Sequence, residues 1–463
     1  MITYAALSPH PPLIIPEIGG ARIEDVASTV AGMQNMAREL VESKPDTLVF
    51  LTPHGNVFSD CLSALAEPRL EGDFTPFGNS WGTSCANDLE FLAEIGKNAA
   101  REGVPFLQVS RETAKAYRLN TKLDHGILVP LYYLKEAGLP EIPILAISIG
   151  YLSIFELYTF GTLIRDAGKS LGKRAALIAS GDMSHRLKNE GPYDYHPDGL
   201  KFDEAVRNML ACGDRAGITN MPEKLRENAG ECGYRSIVIM LGAVDGQKTE
   251  ARIFSYEGPF GVGYLTAGIL PGADEESFLQ RMKEEKEEKI SARRSQESLP
   301  VRWARMILES HINKKGNPSL PGEMDELRGQ RAGAFVSLKK NGQLRGCIGT
   351  ISPTRKDLAA EIAANAISAG TGDPRFLPVG QHELGDLVYS VDILGEAEPC
   401  QEEDLDPRKF GVIVSKGSKR GLLLPDLEGV DTVKEQLSIA LQKAGISSGE
   451  GYSIERFEVK RFT

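Results

Sequence analysis

Seven histidines occur in the 463-residue chain, and their placement is the first feature with chemical meaning. His10 follows ITYAALSP, His54 follows TLVFLTP and His185 follows AALIASGDMS. Each of those segments is an aliphatic, strand-like run closed by Ser, Thr, Gly or Pro. His125 opens a different element, in LDHGILVPL. Histidines in the carboxyl-end loops of one sheet converge in space even when far apart in sequence, as a metal or acid–base site requires. A lone loop histidine is more often a surface or capping residue. Four of them embedded among Gly, Pro, Ser and Asp are poorly explained that way. Pro9 and Pro53 also disfavour helix at the turns that carry His10 and His54.

A divalent ion on His10 and His54 needs an anionic third ligand. Two histidines and one carboxylate is the arrangement of non-haem Fe(II) sites with open positions. Within NAGECGYR, residues 228–235, Glu231 supplies a carboxylate and the adjacent Cys232 a thiolate that would serve equally as the anion. The ordinary alternatives are a carboxylate favoured at a helix N-terminus for Glu231 and a small buried apolar residue for Cys232. Both ligand choices stay open on these residues.

The elements that must position these groups are readable from hydrophobic patterning. Ile2–Leu7, Thr47–Thr52, Ile144–Ser148 and Ala175–Ser180 read as strands. Ile23–Glu42, Ala86–Glu102 and Ile154–Ser170 read as helices between them. This alternation predicts an α/β layer fold, in which ligands gather beyond the carboxyl ends of the strands. Residues 1–272 form the expected metal domain, and the charged stretch 273–298 reads as a solvated linker helix. From residue 299 to 463, short β-rich runs such as Gly333–Leu338, Leu387–Ile393 and Gly411–Ser415 predict an α+β domain.

The second region holds its own polar residues among glycines. In LRGCIG, residues 344–349, Cys347 lies between glycines beside Arg345, and GTGDPRF contributes Asp373 and Arg375. Cationic neighbours such as Arg345 and Arg355 would lower a thiol pKa. Glu361, Asn365 and Lys416 join the same set, although Glu361 and Asn365, one helical turn apart, also read as a surface pair. Cys347 lacks a motif-linked histidine base, so the expectation is a binding site rather than Cys–His catalysis.

A formal charge of −11 gives no electrostatic footprint for nucleic acid or an anionic membrane. No apolar run reaches the length needed to span a bilayer, and the first twenty residues lack a secretory pattern. Six cysteines without a CxxC pair point to reduced thiols and a cytoplasmic setting.

SPHPPLI, TPHG, LDHGILVPL and SGDMSH resemble the signature segments of class III extradiol ring-cleaving dioxygenases and the related Memo family, over residues 1–270. The resemblance implies a central mixed sheet flanked by helices. It also implies Fe(II) on His10, His54 and Glu231, acid–base work by His185, and His125 over the substrate. ECGYRSI also resembles the Memo segment whose cysteine is the anionic ligand, which makes Cys232 the alternative and brings Zn(II) or copper into question beside iron. LRGCIGTISPTRKDLAAEIAANAISAGTGDPRF resembles the AMMECR family, over residues 299–463. The fusion resembles the AmmeMemoRadiSam group. The expected partners are a small aromatic or diol substrate, a radical SAM protein and further copies of the chain. The leading expectation is extradiol cleavage of a catechol with O2. A metal-binding redox or scaffold protein without ring cleavage is the alternative, and zinc hydrolysis a third.

Overall fold

The aliphatic runs that precede the histidines are strands lying side by side. In the computed structural model, which describes residues 1–463 except 317, 341, 428 and 448, the chain folds as two compact units, Met1–Glu284 and Glu285–Thr463. The first unit contains, in chain order, β1 (Ile2–Ser8), β2 (Thr47–Thr52), β3 (Leu62–Leu65), β4 (Arg69–Asp73), β5 (Gly82–Ala86), β6 (Phe106–Val109), β7 (Ile144–Ser148), β8 (Ala175–Ser180), β9 (Gln247–Glu257) and β10 (Tyr264–Asp274). Among the described residues, eight of these form one sheet in the order β6-β3-β7-β2-β8-β1-β10-β9.

The four central strands, β7, β2, β8 and β1, are mutually parallel. They read as continuous apolar runs because both faces are covered. Val49, Leu51, Leu145, Ile147, Leu177 and Ala179 face one core with the helices Leu89–Glu102, Ile154–Ser170 and Tyr234–Ala243. The alternate residues Leu48, Phe50, Ile144, Ala146 and Ile178 face the other core, with the helices Ala27–Glu42 and His125–Glu136. Antiparallel pairing of β3 with β7 and of β10 with β1 makes the sheet mixed, as the family resemblance implies.

β10 and β9 are a long hairpin-like pair running to Asp274, so regular structure of the first unit continues past residue 272. The helix Phe278–Ser295 then starts against the core. Phe278 and Leu279 are buried, and the Asp245 carboxylate accepts their backbone N–H groups.

The second unit has β11 (Ala334–Lys340), β12 (Gln343–Gly349), β13 (Leu387–Leu394), β14 (Glu398–Pro399), β15 (Phe410–Lys416), β16 (Lys419–Leu423) and β17 (Ser453–Phe462). They form an antiparallel sheet ordered β12-β11-β13-β17-β15-β16, with β14 paired to β17. The helices Leu299–Ile312 and Leu358–Thr371 cover one part of it through Val301, Ile307, Leu308, Ile362 and Ala366. The helix Val433–Ala444 covers another through Leu437, Ala440 and Leu441. The unit is α+β.

Candidate metal centre

Each central strand of the first unit ends at the same edge, and there the polar residues meet. β1 runs into Pro9 and His10, β2 into Pro53 and His54, and β8 into Gly181, Asp182 and His185. His125 enters from another direction, as the first residue of the helix His125–Glu136. That helix is capped by Asp124, whose Oδ1 accepts the Gly126 N–H at 2.8 Å. Thr52 couples two of these turns, because its hydroxyl donates to Asp124 Oδ1 at 2.7 Å and accepts the His54 N–H at 3.1 Å. Gly126 permits this approach: a Cβ there would stand 2.5 Å from Thr52 Oγ1.

His10 Nε2 and His54 Nε2 face each other at 2.8 Å. The His10 ring is fixed from behind by Ser180 Oγ, 2.9 Å from Nδ1, and its backbone N–H donates to Asp182 Oδ1 at 3.1 Å. The Sγ of Cys232 lies 3.7 Å from His10 Nε2. One donor atom each from His10, His54 and Cys232 falls within 4.8 Å of the others, and the same is true of Asp182, His185 and Cys232. His125 completes the array, with its ring centroid 4.2 Å from that of His54 and 5.4 Å from that of His10.

Cys232 reaches this position because two glycines pack backbone against backbone. A Cβ on Gly181 would lie 2.1 Å from Gly233 Cα. The Asp182 N–H therefore donates to Cys232 Sγ at 3.2 Å, and the Gly233 N–H to Asp182 O at 3.0 Å. Glu231, one residue earlier, turns the other way. Its Oε2 accepts the Tyr234 N–H at the start of the helix Tyr234–Ala243, and its carboxylate is absent from the donor groups found among the described residues. That is the helix N-terminal position favoured for a carboxylate.

Burial sets the charge state of the cluster. It lowers the pKa of all four histidines, to about 4 for His125 and His185, and the neighbouring imidazoles lower His10 further. The four rings are thus neutral at pH 7. Burial also raises the Cys232 thiol, with Asp182 adding to the effect, and raises Asp182 itself to about 7. His185 Nε2 is buried with no hydrogen-bond partner. Two uncharged imidazole nitrogens aimed at each other beside a thiol form a donor set that fits a borderline metal ion.

Ser180, Asp182, Thr52 and Asp124 were not singled out by sequence reasoning. Asp182 had a visible signal, because it stands three residues before His185 in SGDMSH.

In the second unit, Cys347 lies on β12, an edge strand. Asp373 accepts the Cys347 N–H at 2.9 Å and pairs with Arg375, whose Nη2 reaches Cys347 O at 3.3 Å. The pair occupies backbone groups that an edge strand would otherwise expose. Arg375 holds the Asp373 carboxyl well below its usual range. Arg345 is engaged elsewhere, bidentate to Glu383 at 3.0 and 2.9 Å. The Cys347 sulfur accepts instead from Ser337 Oγ at 3.2 Å.

Glu361 and Asn365 are not a surface pair, since they are only 1% and 5% exposed. Glu361 collects the hydroxyls of Thr350 and Thr354 and the N–H groups of Thr354 and Arg355, which pins the loop after β12. Lys416 is ion-paired with Glu450.

The first unit is thus an α/β domain with a parallel-centred sheet and a cluster of four histidines at the carboxyl edge of that sheet. Residues 4–267 match the family described as the catalytic LigB subunit of aromatic ring-opening dioxygenase, and the chain belongs to that family. Residues 301–463 match the AMMECR1 family. A protein of Clostridium acetobutylicum is 40% identical over 458 residues, covering 98% of each chain. A Thermotoga maritima protein is 53% identical over 167 residues, 35% of this chain and 95% of its own length. Among solved structures, an uncharacterized Escherichia coli K12 protein covers 57% of this chain and 99% of its own, with 16% identity and a TM-score of 0.36. An uncharacterized Pyrococcus horikoshii protein covers 35% and 88%, with 28% identity and a TM-score of 0.33. No helix among the described residues is long and apolar enough to cross a membrane.

Proposed function

We propose that the first unit is a metal-dependent oxidoreductase of the ring-opening dioxygenase type, with His10, His54 and Cys232 as metal ligands and a catechol-type diol as substrate. The observation that carries this reading is the meeting of His10 Nε2, His54 Nε2 and Cys232 Sγ at the carboxyl edge of a LigB-family sheet. A bound ion, Fe(II) first and Zn(II) or copper next, would supply Lewis acidity toward the diol oxygens and, if redox-active, a path for electrons to O2.

The remaining steps belong to the chain's own side chains. His185, neutral at pH 7 with a free Nε2, takes the phenolic proton at that atom and returns it later. His125 orients the diol and offers a hydrogen bond to developing oxygen charge. Ser180 and the Asp182–His10 backbone contact keep the first imidazole in one orientation.

One observation favours a second reading. The Cys232 sulfur lies 3.7 Å from His10 Nε2 and would become a thiolate on binding an ion, while Glu231 is occupied by the Tyr234 N–H. A thiolate set suits a metal-binding redox module that works with a radical SAM protein without ring cleavage, the AMMECR unit supplying recognition. Anaerobic loading with Fe(II), Zn(II) or Cu(I), followed by O2 and a panel of catechols, separates the two. A ring-cleaved chromophore supports the dioxygenase. Stoichiometric iron with no cleavage of any catechol rejects it in favour of the redox module. Glu231→Gln should keep the metal and Cys232→Ser should lose it; the reverse pattern rejects the ligand set.

A further inference from the structure

Two large aromatic side chains stand half exposed beside the donor cluster. Phe77 closes the short turn Thr75–Phe77 between β4 and β5 and is 41% exposed, whereas Phe74 of the same segment is fully buried against Trp81. The Phe77 ring stands edge-on to His125, with centroids 5.6 Å apart. Tyr193 lies on a separate loop and is 57% exposed. Its ring stacks on His185 with centroids 5.9 Å apart and planes within 13°. That loop is tied at its base, because Arg186 Nε donates to Asp194 O at 2.9 Å and the His196 N–H to Arg186 O at 2.9 Å.

Exposed aromatic residues scattered singly over a surface are ordinary; what sets Phe77 and Tyr193 apart is that each rests against a histidine of the donor cluster. Two such rings, each touching a different histidine of one cluster, leave aromatic surface exposed beside the donor atoms. His185 Nε2, buried and without a partner, asks for a hydroxyl at the same place. The geometry points to Phe77 and Tyr193 as the residues that determine specificity, holding a planar phenolic ring whose hydroxyl reaches His185. This inference rests on the metal and catechol reading above, and adds to it the side chains that select a flat ring.

The test uses the full chain loaded with Fe(II) under anaerobic conditions and 4-nitrocatechol as the probe, read by its absorption shift, with metal content measured in parallel. Phe77→Ala and Tyr193→Ala should each weaken probe binding about three- to tenfold, the scale of one ring–ring contact. Tyr193→Phe should bind like the wild type, and metal content should stay constant throughout. A double alanine variant that binds within twofold of wild type overturns the inference, as does a loss of metal that tracks the loss of binding. Wild type that takes up iron without shifting the probe overturns it and leaves the metal ligands standing. Wild type that takes up no metal overturns the underlying reading as well.

Discussion

Ser180→Ala tests whether the buried partner of His10 sets metal affinity. Ser180 and His10 are 0% and 2% exposed, so the hydroxyl that meets His10 Nδ1 at 2.9 Å cannot be replaced by solvent. Leaving one buried polar group unsatisfied costs about 1–3 kcal/mol. At 1.4 kcal/mol per tenfold, that is about 5- to 150-fold in an equilibrium constant. Loss of an outer hydrogen bond to a ligating histidine costs about 10–100-fold in metal affinity, the same scale reached independently. The expected result is therefore a metal dissociation constant raised about 10- to 100-fold, with stoichiometry unchanged. Competition against a chromophoric chelator, with Zn(II) as the probe ion, measures it directly. An affinity within twofold of wild type, in a chain whose His10→Ala variant does lose the metal, would refute the reasoning.

Three further outcomes follow from burial and charge. Because the His10 and His54 pKa values are lowered while the Cys232 thiol is raised, metal entry should release one proton, from sulfur. Affinity should then rise about tenfold per pH unit between about pH 6 and 8; a flat profile by titration calorimetry contradicts a thiolate ligand. Asp203, raised by burial from its ordinary 3.8 to about 7, accepts the Ser184 N–H and the Tyr256 hydroxyl. Its folded value exceeds its unfolded one, so its contribution is full below about 4 and is lost as pH rises through about 7, on the order of a few kcal/mol. Asp203→Asn should flatten that fall in urea midpoints, and an unchanged slope counts against it. In the second unit, Glu361→Ala removes the acceptor of four hydrogen bonds and should destabilise that unit's unfolding transition by about 2–4 kcal/mol in urea titration. A change below about 0.5 kcal/mol would show that the loop after β12 is held by other contacts.

The central strands were legible because a strand covered on both faces is written as an unbroken aliphatic run. Thr47–Thr52, Ile144–Ser148 and Ala175–Ser180 have the bounds the sequence suggests. β9 was not legible, since its residues alternate between exposed and half-buried at the sheet's edge and carry Lys248, Glu250 and Arg252. The helix expected from Ile23 starts at Ala27, because the preceding residues Gly20–Val26 form a 3-10 segment. At the site, the histidines announce themselves by type. The choice between Glu231 and Cys232 does not, because adjacent residues point in different directions and only the backbone contact of Gly181 with Gly233 decides which one faces β8. Ser180 is silent in the sequence: it gains its role only through His10, 170 positions away.

That separation governs when the centre can exist. His10 and His54 are 44 residues apart, and Cys232 is 222 from His10. An emerging or unfolded polypeptide thus presents no local pair from among His10, His54 and Cys232, unlike a zinc finger, whose ligands lie close in sequence. The donors come together only once β1, β2 and β8 are aligned and Gly233 has docked on Gly181. With the proposed ligands, metal uptake would follow the folding of the first unit, and an ion bound in one-to-one ratio would report that this unit had folded.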